Sequence, residues 1–397
     1  MHLLTSLLLI LACARLLGRL MERLGQPALT GEILAGVILG PAFLGWVLPS
    51  PAFSTLSELA VFFMVLSAGL EMDFKKVLDA FRGPALPISV LGFSIPFASG
   101  LSVGVLFHLT PLPTIFLGIC ISITALPVTL WILKNLGLLN HRLAGFSVSA
   151  AILNDIVAFL ILGVVLDLSV AGQVHSAAAA VGWSVAKLAF LAGMVIAARW
   201  GLQRFKSSPH DLSFLPQWCK GSGGEQASFI LTLLWTLTFA ALAENLGFHA
   251  VIGAFFGALL LDRDAIGPSF PGLTQTFHNF AGEFLAPLFF AFLGMDFSLN
   301  GFASLGLVAS VTLAAVASKI LGGFLGGKLG GLPAMEAWGT GIILNARGMM
   351  ELVVAGIGLR KGLIGPELFS ALVFMGIVTT IMTSPMFRKF IRLGNNG

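Results

Sequence analysis

Charge is what this chain has least of. Lysine, arginine, aspartate and glutamate make up 10% of its 397 residues, against about 25% in soluble domains. With 57% hydrophobic residues and a mean hydropathy of +0.98, the composition is that of a polytopic membrane protein. Cysteine is also scarce: Cys13, Cys120 and Cys219 form no CxxC spacing and no paired framework, which excludes a structural zinc site and a disulfide scaffold. HExxH, a GxSxG elbow and paired intramembrane aspartates suited to proteolysis are missing too, which sets an intramembrane enzyme aside. The net charge of +4 and pI near 9.2 do not point to nucleic acid, because the basic residues are scattered along short loops. The first apolar run has Arg15 and Arg19 at its far end and no Lys or Arg before it, the pattern of a retained helix rather than a cleaved leader.

What is present is long apolar sequence cut by Pro, Gly and charge clusters. Runs of about 17 to 25 residues suffice to cross the hydrocarbon layer, and cutting on that length predicts thirteen spans. These are 3–20, 28–47, 57–73, 84–107, 111–134, 141–166, 177–200, 227–246, 248–262, 278–296, 302–327, 335–359 and 364–388. The twenty-two Lys and Arg residues test this: sixteen fall on one side, only Arg360 and Lys361 on the other, and Arg15, Lys187, Lys319 and Arg347 inside spans. The positive-inside rule then places the N-terminus outside and the C-terminus in the cytoplasm of a cell membrane.

An internal repeat emerges at an offset near 223. Met72-Asp73-Phe74 recurs as Met295-Asp296-Phe297 at 223, Gly31 and Gly253 are 222 apart, and 223 carries Thr124 onto Arg347. The reading is two six-span halves separated by span 7. Seven spans separate equivalent positions, an odd number, so the halves are inverted, and inverted repeats with midplane sites at their interface mark secondary transporters.

That architecture directs attention to interrupted spans and buried charge. Span 5 contains Ser122-Ile123-Thr124-Ala125-Leu126-Pro127, where Pro127 removes a backbone donor. Span 12 contains Asn345-Ala346-Arg347-Gly348 followed by Glu351. Non-helical backbone at this depth survives only inside protein or along a cavity, and two crossed breaks present opposed helix ends to buried charge. Asn154-Asp155 lies near the middle of the sixth span. A carboxylate there costs at least roughly 2.5 to 3.5 kcal/mol, which makes it a functional residue by default. Burial disfavours its bare charged form, so a proton or a desolvated cation neutralises it, hardly both at once, and that competition couples two fluxes. Asp155 and Thr124 are the metal-ion ligands expected from the residues, with the Asn154 amide, Ser122 and freed carbonyls beside them; the bland alternatives are a structural ion pair and hydroxyls bonded to their own helix. Lys319 is a charge partner or a stabilising pair elsewhere. Counted from span midpoints, it lies about 7 Å inward and Asp155 about 2 Å outward. Arg347 and Glu351, spaced i, i+4, pair with each other and with Asn345 support the second break.

The runs Pro27–Pro41 (PALTGEILAGVILGP), Ser122–Leu139 (SITALPVTLWILKNLGLL), Asn345–Gly358 (NARGMMELVVAGIG) and Ile377–Pro385 (IVTTIMTSP), with the Asn-Asp pair and Lys319, resemble the monovalent cation:proton antiporter-2 family, which includes Kef-type and plant cation/proton exchangers. The resemblance spans nearly the whole chain. It implies a thirteen-helix all-α fold of the sodium/proton antiporter type and a homodimer. The dimerisation domain would be 1–83 and 227–300, the moving core 84–170 and 301–397, and the linker 171–226. It also implies exchange of Na+ or K+ for protons by alternating access at Asp155, with no resident cofactor. Electrogenic members carry Asp-Asp where this chain has Asn154-Asp155, which tilts the expectation towards one cation per proton. Kef-type proteins commonly append a nucleotide-binding domain, and none is expected here. The alternative function is a sodium-coupled carrier of another solute on a similar scaffold.

The remaining candidates are weaker. Glu32, between Gly31 and Gly36, is an access-path residue or part of close helix packing. Glu71, Asp73 and Asp296 fall at span ends, His108, His249 and His278 are lone histidines near loops, and Lys187 is expected to snorkel or pack.

Overall fold

A computed structural model describes residues 3–72, 83–138, 141–170, 177–206, 224–261, 270–297 and 304–395, and every regular element among them is helical. The first helices are α1 (Leu3–Arg23), α2 (Ala28–Leu39), α3 (Pro51–Glu71), α4 (Ala85–Leu106), α5 (Pro111–Ser122), α6 (Leu126–Asn135), α7 (Arg142–Val170) and α8 (Ala177–Lys206). Then come α9 (Gly224–Asn245), α10 (Ala250–Leu259), α11 (Phe270–Asn279), a π-helical turn (Phe280–Leu285) and α12 (Ala286–Met295). The last are α13 (Leu305–Leu329), α14 (Ala334–Leu344), α15 (Met349–Arg360) and α16 (Pro366–Asn395). Seven described helices are long and apolar enough to cross a membrane, and α14 with α15, bent by 41° at their junction, make an eighth if counted as one span.

Helix ends follow local chemistry. The 28–47 span is helical only to Leu39, because Gly40-Pro41 follows and Pro41 disfavours helix just before it. Proline opens α3, α5 and α16 at the position where its missing N–H is harmless. The tenth span is longer than expected: helix begins at Phe270 and passes through the π turn.

The chain forms two compact units: Met1–Ser57 with Lys75–Ile161 and Pro287–Gly397, and Glu58–Phe74 with Leu162–Ala286. In the first, glycines let helices touch backbone to backbone. A Cβ on Gly100 of α4 would lie 2.6 Å from the Gly118 Cα of α5, and one on Gly323 of α13 would lie 2.5 Å from the Gly341 Cα of α14. Glycines 322 and 326 of α13 meet Leu91 and Ile88 of α4 in the same way. Asp296 is exposed beside a cleft of about 150 Å³ that it lines with Arg360, Phe53 and Phe292.

In the second unit, Glu71 Oε1 and His278 Nδ1 are 2.6 Å apart. Lys187 neither snorkels nor merely packs: its ammonium donates to Asp167 Oδ1 at 2.7 Å, while Ser184 donates to Asp167 Oδ2 at 2.5 Å. Lys187 thus lies between helices, as one of the expected alternatives had it, but its partner, Asp167, comes from another helix and local spacing does not reveal it. Asp73 and Cys219 lie outside the described residues.

Candidate ion-binding site

The breaks fall where the sequence places them. α5 stops at Ser122 and α6 starts at Leu126, leaving 123–125 irregular; α14 stops at Leu344 and α15 starts at Met349. The Ala125 N–H donates to the Ala346 carbonyl at 3.0 Å, so the two interruptions bond to each other. Thr380 of α16 donates to the Arg347 carbonyl at 2.6 Å, and the Asn345 amide donates to the Thr383 hydroxyl at 3.2 Å.

A proline and a helix end determine where the buried cations sit. A helical proline withholds a hydrogen bond from the carbonyl four residues earlier. Pro96, inside α4, therefore frees the Gly92 carbonyl, and the Lys319 ammonium donates to it at 2.9 Å. The end of α5 leaves the Cys120 carbonyl without a helical donor and turns Ile123 into extended backbone, and Arg347 Nη1 donates to the Cys120 carbonyl at 2.8 Å and to the Ile123 carbonyl at 3.1 Å. Lys319 also donates to the Ser122 carbonyl. The negative end of α5 is thus held by one lysine from α13 and one arginine from the break between α14 and α15.

The acids are left differently. Asp155 is 1% exposed, neither of its oxygens has a hydrogen-bond partner, and Lys319 reaches it through charge rather than a direct bond. The expected Lys319–Asp155 approach therefore stops short, because the two carbonyls claim the ammonium. Asn154, beside it, accepts from Ser89 at 2.8 Å through Oδ1, and its amide nitrogen makes no hydrogen bond. The Thr124 hydroxyl is fully buried and also without a partner. The Ser122 hydroxyl instead donates to its own helix at Gly118 (2.7 Å) and to Phe93 (3.1 Å). Arg347 and Glu351 stand 3.8 Å apart, a looser pair than their spacing promised, because Nη1 already serves two carbonyls.

Asp155, Lys319, Arg347 and Glu351 bring two acids and two bases into one dry core, where charge survives only if compensated. Chemically, the oxygens of Asp155 and Thr124, with unmade bonds, suit a desolvated alkali cation or a proton. Sequence reasoning misses Ser89 and the Gly92 carbonyl. Pro96 is the signal for the second, since the i−4 rule names the freed oxygen; nothing in the sequence marks Ser89 apart from other serines.

The model for the transmembrane sodium/hydrogen exchanger family matches residues 8–389. The Na(+)/H(+) antiporter NhaS4 of Synechocystis sp. is 30% identical over 412 residues, covering 97% of this chain and 96% of its own. The Na(+)/H(+)-K(+) antiporter GerN of Bacillus cereus is 26% identical over 381 residues, covering 96% and 94%. Among solved structures, the sodium proton antiporter MjNhaP1 of Methanocaldococcus jannaschii at pH 8 has the same fold, with a TM-score of 0.73 at 18% identity over 98% of this chain and 96% of that one.

Proposed function

The chain belongs to the transmembrane sodium/hydrogen exchanger family, and on that premise we propose that it exchanges Na+ or K+ for protons at Asp155. It is a membrane antiporter and not an enzyme. The observation that carries the site assignment is the pair of Asp155 oxygens, buried with no hydrogen bond. A carboxylate left in that condition gains free energy from a proton or a cation, and from one at a time. Thr124 supplies the further free oxygen, with Asn154 beside it, while Lys319, which already occupies the Ser122 carbonyl, holds the frame of the site.

Alternating access needs two positions of the site relative to water, and the repeat provides the means. Adding 223 takes the start of α5 at Pro111 to that of α14 at Ala334, and the start of α6 at Leu126 to that of α15 at Met349. The same shift takes the touching pair Gly100 and Gly118 to the touching pair Gly323 and Gly341. These correspondences support thirteen spans, two inverted halves and crossed breaks. The reading extends to a homodimer in the cell membrane with N-terminus outside, the core 84–170 and 301–397 moving against 1–83 and 227–300.

The test uses proteoliposomes containing the purified protein and an internal pH dye. Added Na+ or K+ should dissipate an imposed proton gradient with wild type, and Asp155→Asn should abolish the response while remaining folded. Undiminished exchange by Asp155→Asn would overturn the assignment.

A further inference from the structure

Glu351 is a buried acid for which exchange at Asp155 has no use. It is wholly buried, neither carboxylate oxygen takes part in a hydrogen bond, and Arg347 stands 3.8 Å away. An arginine that serves only to neutralise a carboxylate grips it with two hydrogen bonds of about 2.7 to 2.9 Å. Arg347 instead directs Nη1 to the Cys120 and Ile123 carbonyls, and its Nε and Nη2 make no hydrogen bond. That looseness suits a group that changes charge better than one that holds a fold.

A row of hydroxyls lies alongside, three of them donating to backbone carbonyls. Asn345 meets Thr383, the Arg347 carbonyl meets Thr380, and Glu351 Oε1 is 3.5 Å from where a Cβ on Gly376 would be, so α15 ascends α16 in antiparallel register. Buried Ser384, Thr383, Thr380 and Thr379 therefore form a polar edge from the C-terminal half of α16 towards Glu351. Beyond it, Met375, Leu372 and Phe369 are buried and apolar. In the orientation proposed above, this edge lies on the cytoplasmic side of the acid.

We propose that Glu351 is a second proton-binding group, reached from the cytoplasmic side along α16, whose proton sets how strongly the cations at the end of α5 oppose cation entry at Asp155. The inference rests on Asp155 as the cation site. The charged and titratable groups acting on Glu351 are Arg347 from the break before its helix, Lys319 from α13 and Cys120 from α5; along this edge α16 presents hydroxyls and Gly376. When cytoplasmic pH falls, Glu351 takes a proton from water, and Arg347 and Lys319 stand as two like charges at one helix end, so cation affinity drops. When pH rises, the proton returns to water, the Glu351 carboxylate offsets Arg347, and cation affinity recovers.

The experiment measures KM for Na+ in proteoliposomes across a pH series. Wild type should show KM rising on acidification. Glu351→Gln, fixed in the neutral form, should show a KM raised roughly tenfold at alkaline pH that merges with wild type at acid pH. Glu351→Asp should keep the pH dependence with a displaced midpoint, and it carries the test if Glu351→Gln is poorly folded. A loss of equal size at every pH, as a purely structural role predicts, or an unchanged profile overturns the inference. Either result alongside an inactive Asp155→Asn leaves the exchange reading standing, whereas activity in Asp155→Asn removes the premise itself.

Discussion

Two buried aspartates on α7 each have a lysine for company, and the structure treats them in opposite ways. Asp167 accepts from Lys187 at 2.7 Å and from Ser184 at 2.5 Å, so both of its oxygens are occupied. Asp155 has neither oxygen bonded, while its lysine is committed to two backbone carbonyls. A carboxylate whose hydrogen bonds are complete has nothing left to offer a cation. One whose bonds are unmade is costly to keep bare, and the cost is relieved by whatever ion or proton arrives. The contrast separates a brace from a binding site more cleanly than burial, since both acids are buried.

The contrast can be broken in order of expected effect. Asp155→Asn should eliminate exchange altogether with little loss of folded protein, read by dye response and by size exclusion in detergent. Lys187→Met should do the reverse: thermal unfolding in detergent should show a loss of about 2 to 3 kcal/mol, because Asp167 keeps its charge without its partner, while the protein that remains folded exchanges with an unchanged pH profile. If Lys187→Met altered the pH profile instead, Asp167 would have to be counted with Asp155.

Lys319→Ala sharpens the other half of the comparison. It strips the Gly92 and Ser122 carbonyls of their donor, at about 1 to 3 kcal/mol in thermal stability, and should alter the pH dependence of exchange. Restoring an N–H with Pro96→Ala should recover part of the stability, because residue 96 can then donate to Gly92 within α4. Equal destabilisation in the single and double variants would show that the carbonyl contact is idle. Ser89→Ala is the mildest change: releasing Asn154 Oδ1 should cost about 1 kcal/mol and raise KM for Na+ a few-fold, with maximal rate retained.

Much of this is legible in the order of the residues. Apolar run length points to an all-helical membrane chain, and Pro127 and Asn345-Ala346-Arg347-Gly348 locate both interruptions, because each removes or disfavours helical hydrogen bonds locally. Asp155 stands out for the cost of a carboxylate among Leu, Ile and Ala. What stays hidden is pairing across helices. Asp167 and Lys187 are 20 residues apart, Ser89 and Asn154 are 65 apart, and no local rule joins them. A local rule does join Arg347 and Glu351, and it proves incomplete, since carbonyls at the end of α5 compete for the guanidinium. The extension of the tenth span back to Phe270 escapes a hydropathy reading because Pro271-Gly272 and Gln275 interrupt the apolar sequence.

The proline vacancy in α4 has a mechanical corollary. Lys319 fills it from α13, and the glycines of α13 lie against the backbone of α4 on the same flank. Sliding one rod along the other would strand a carbonyl in a dry interior and drive two main chains into collision. The pair is therefore a single stiff plank, and any flexing of the protein has its pivot elsewhere in the molecule.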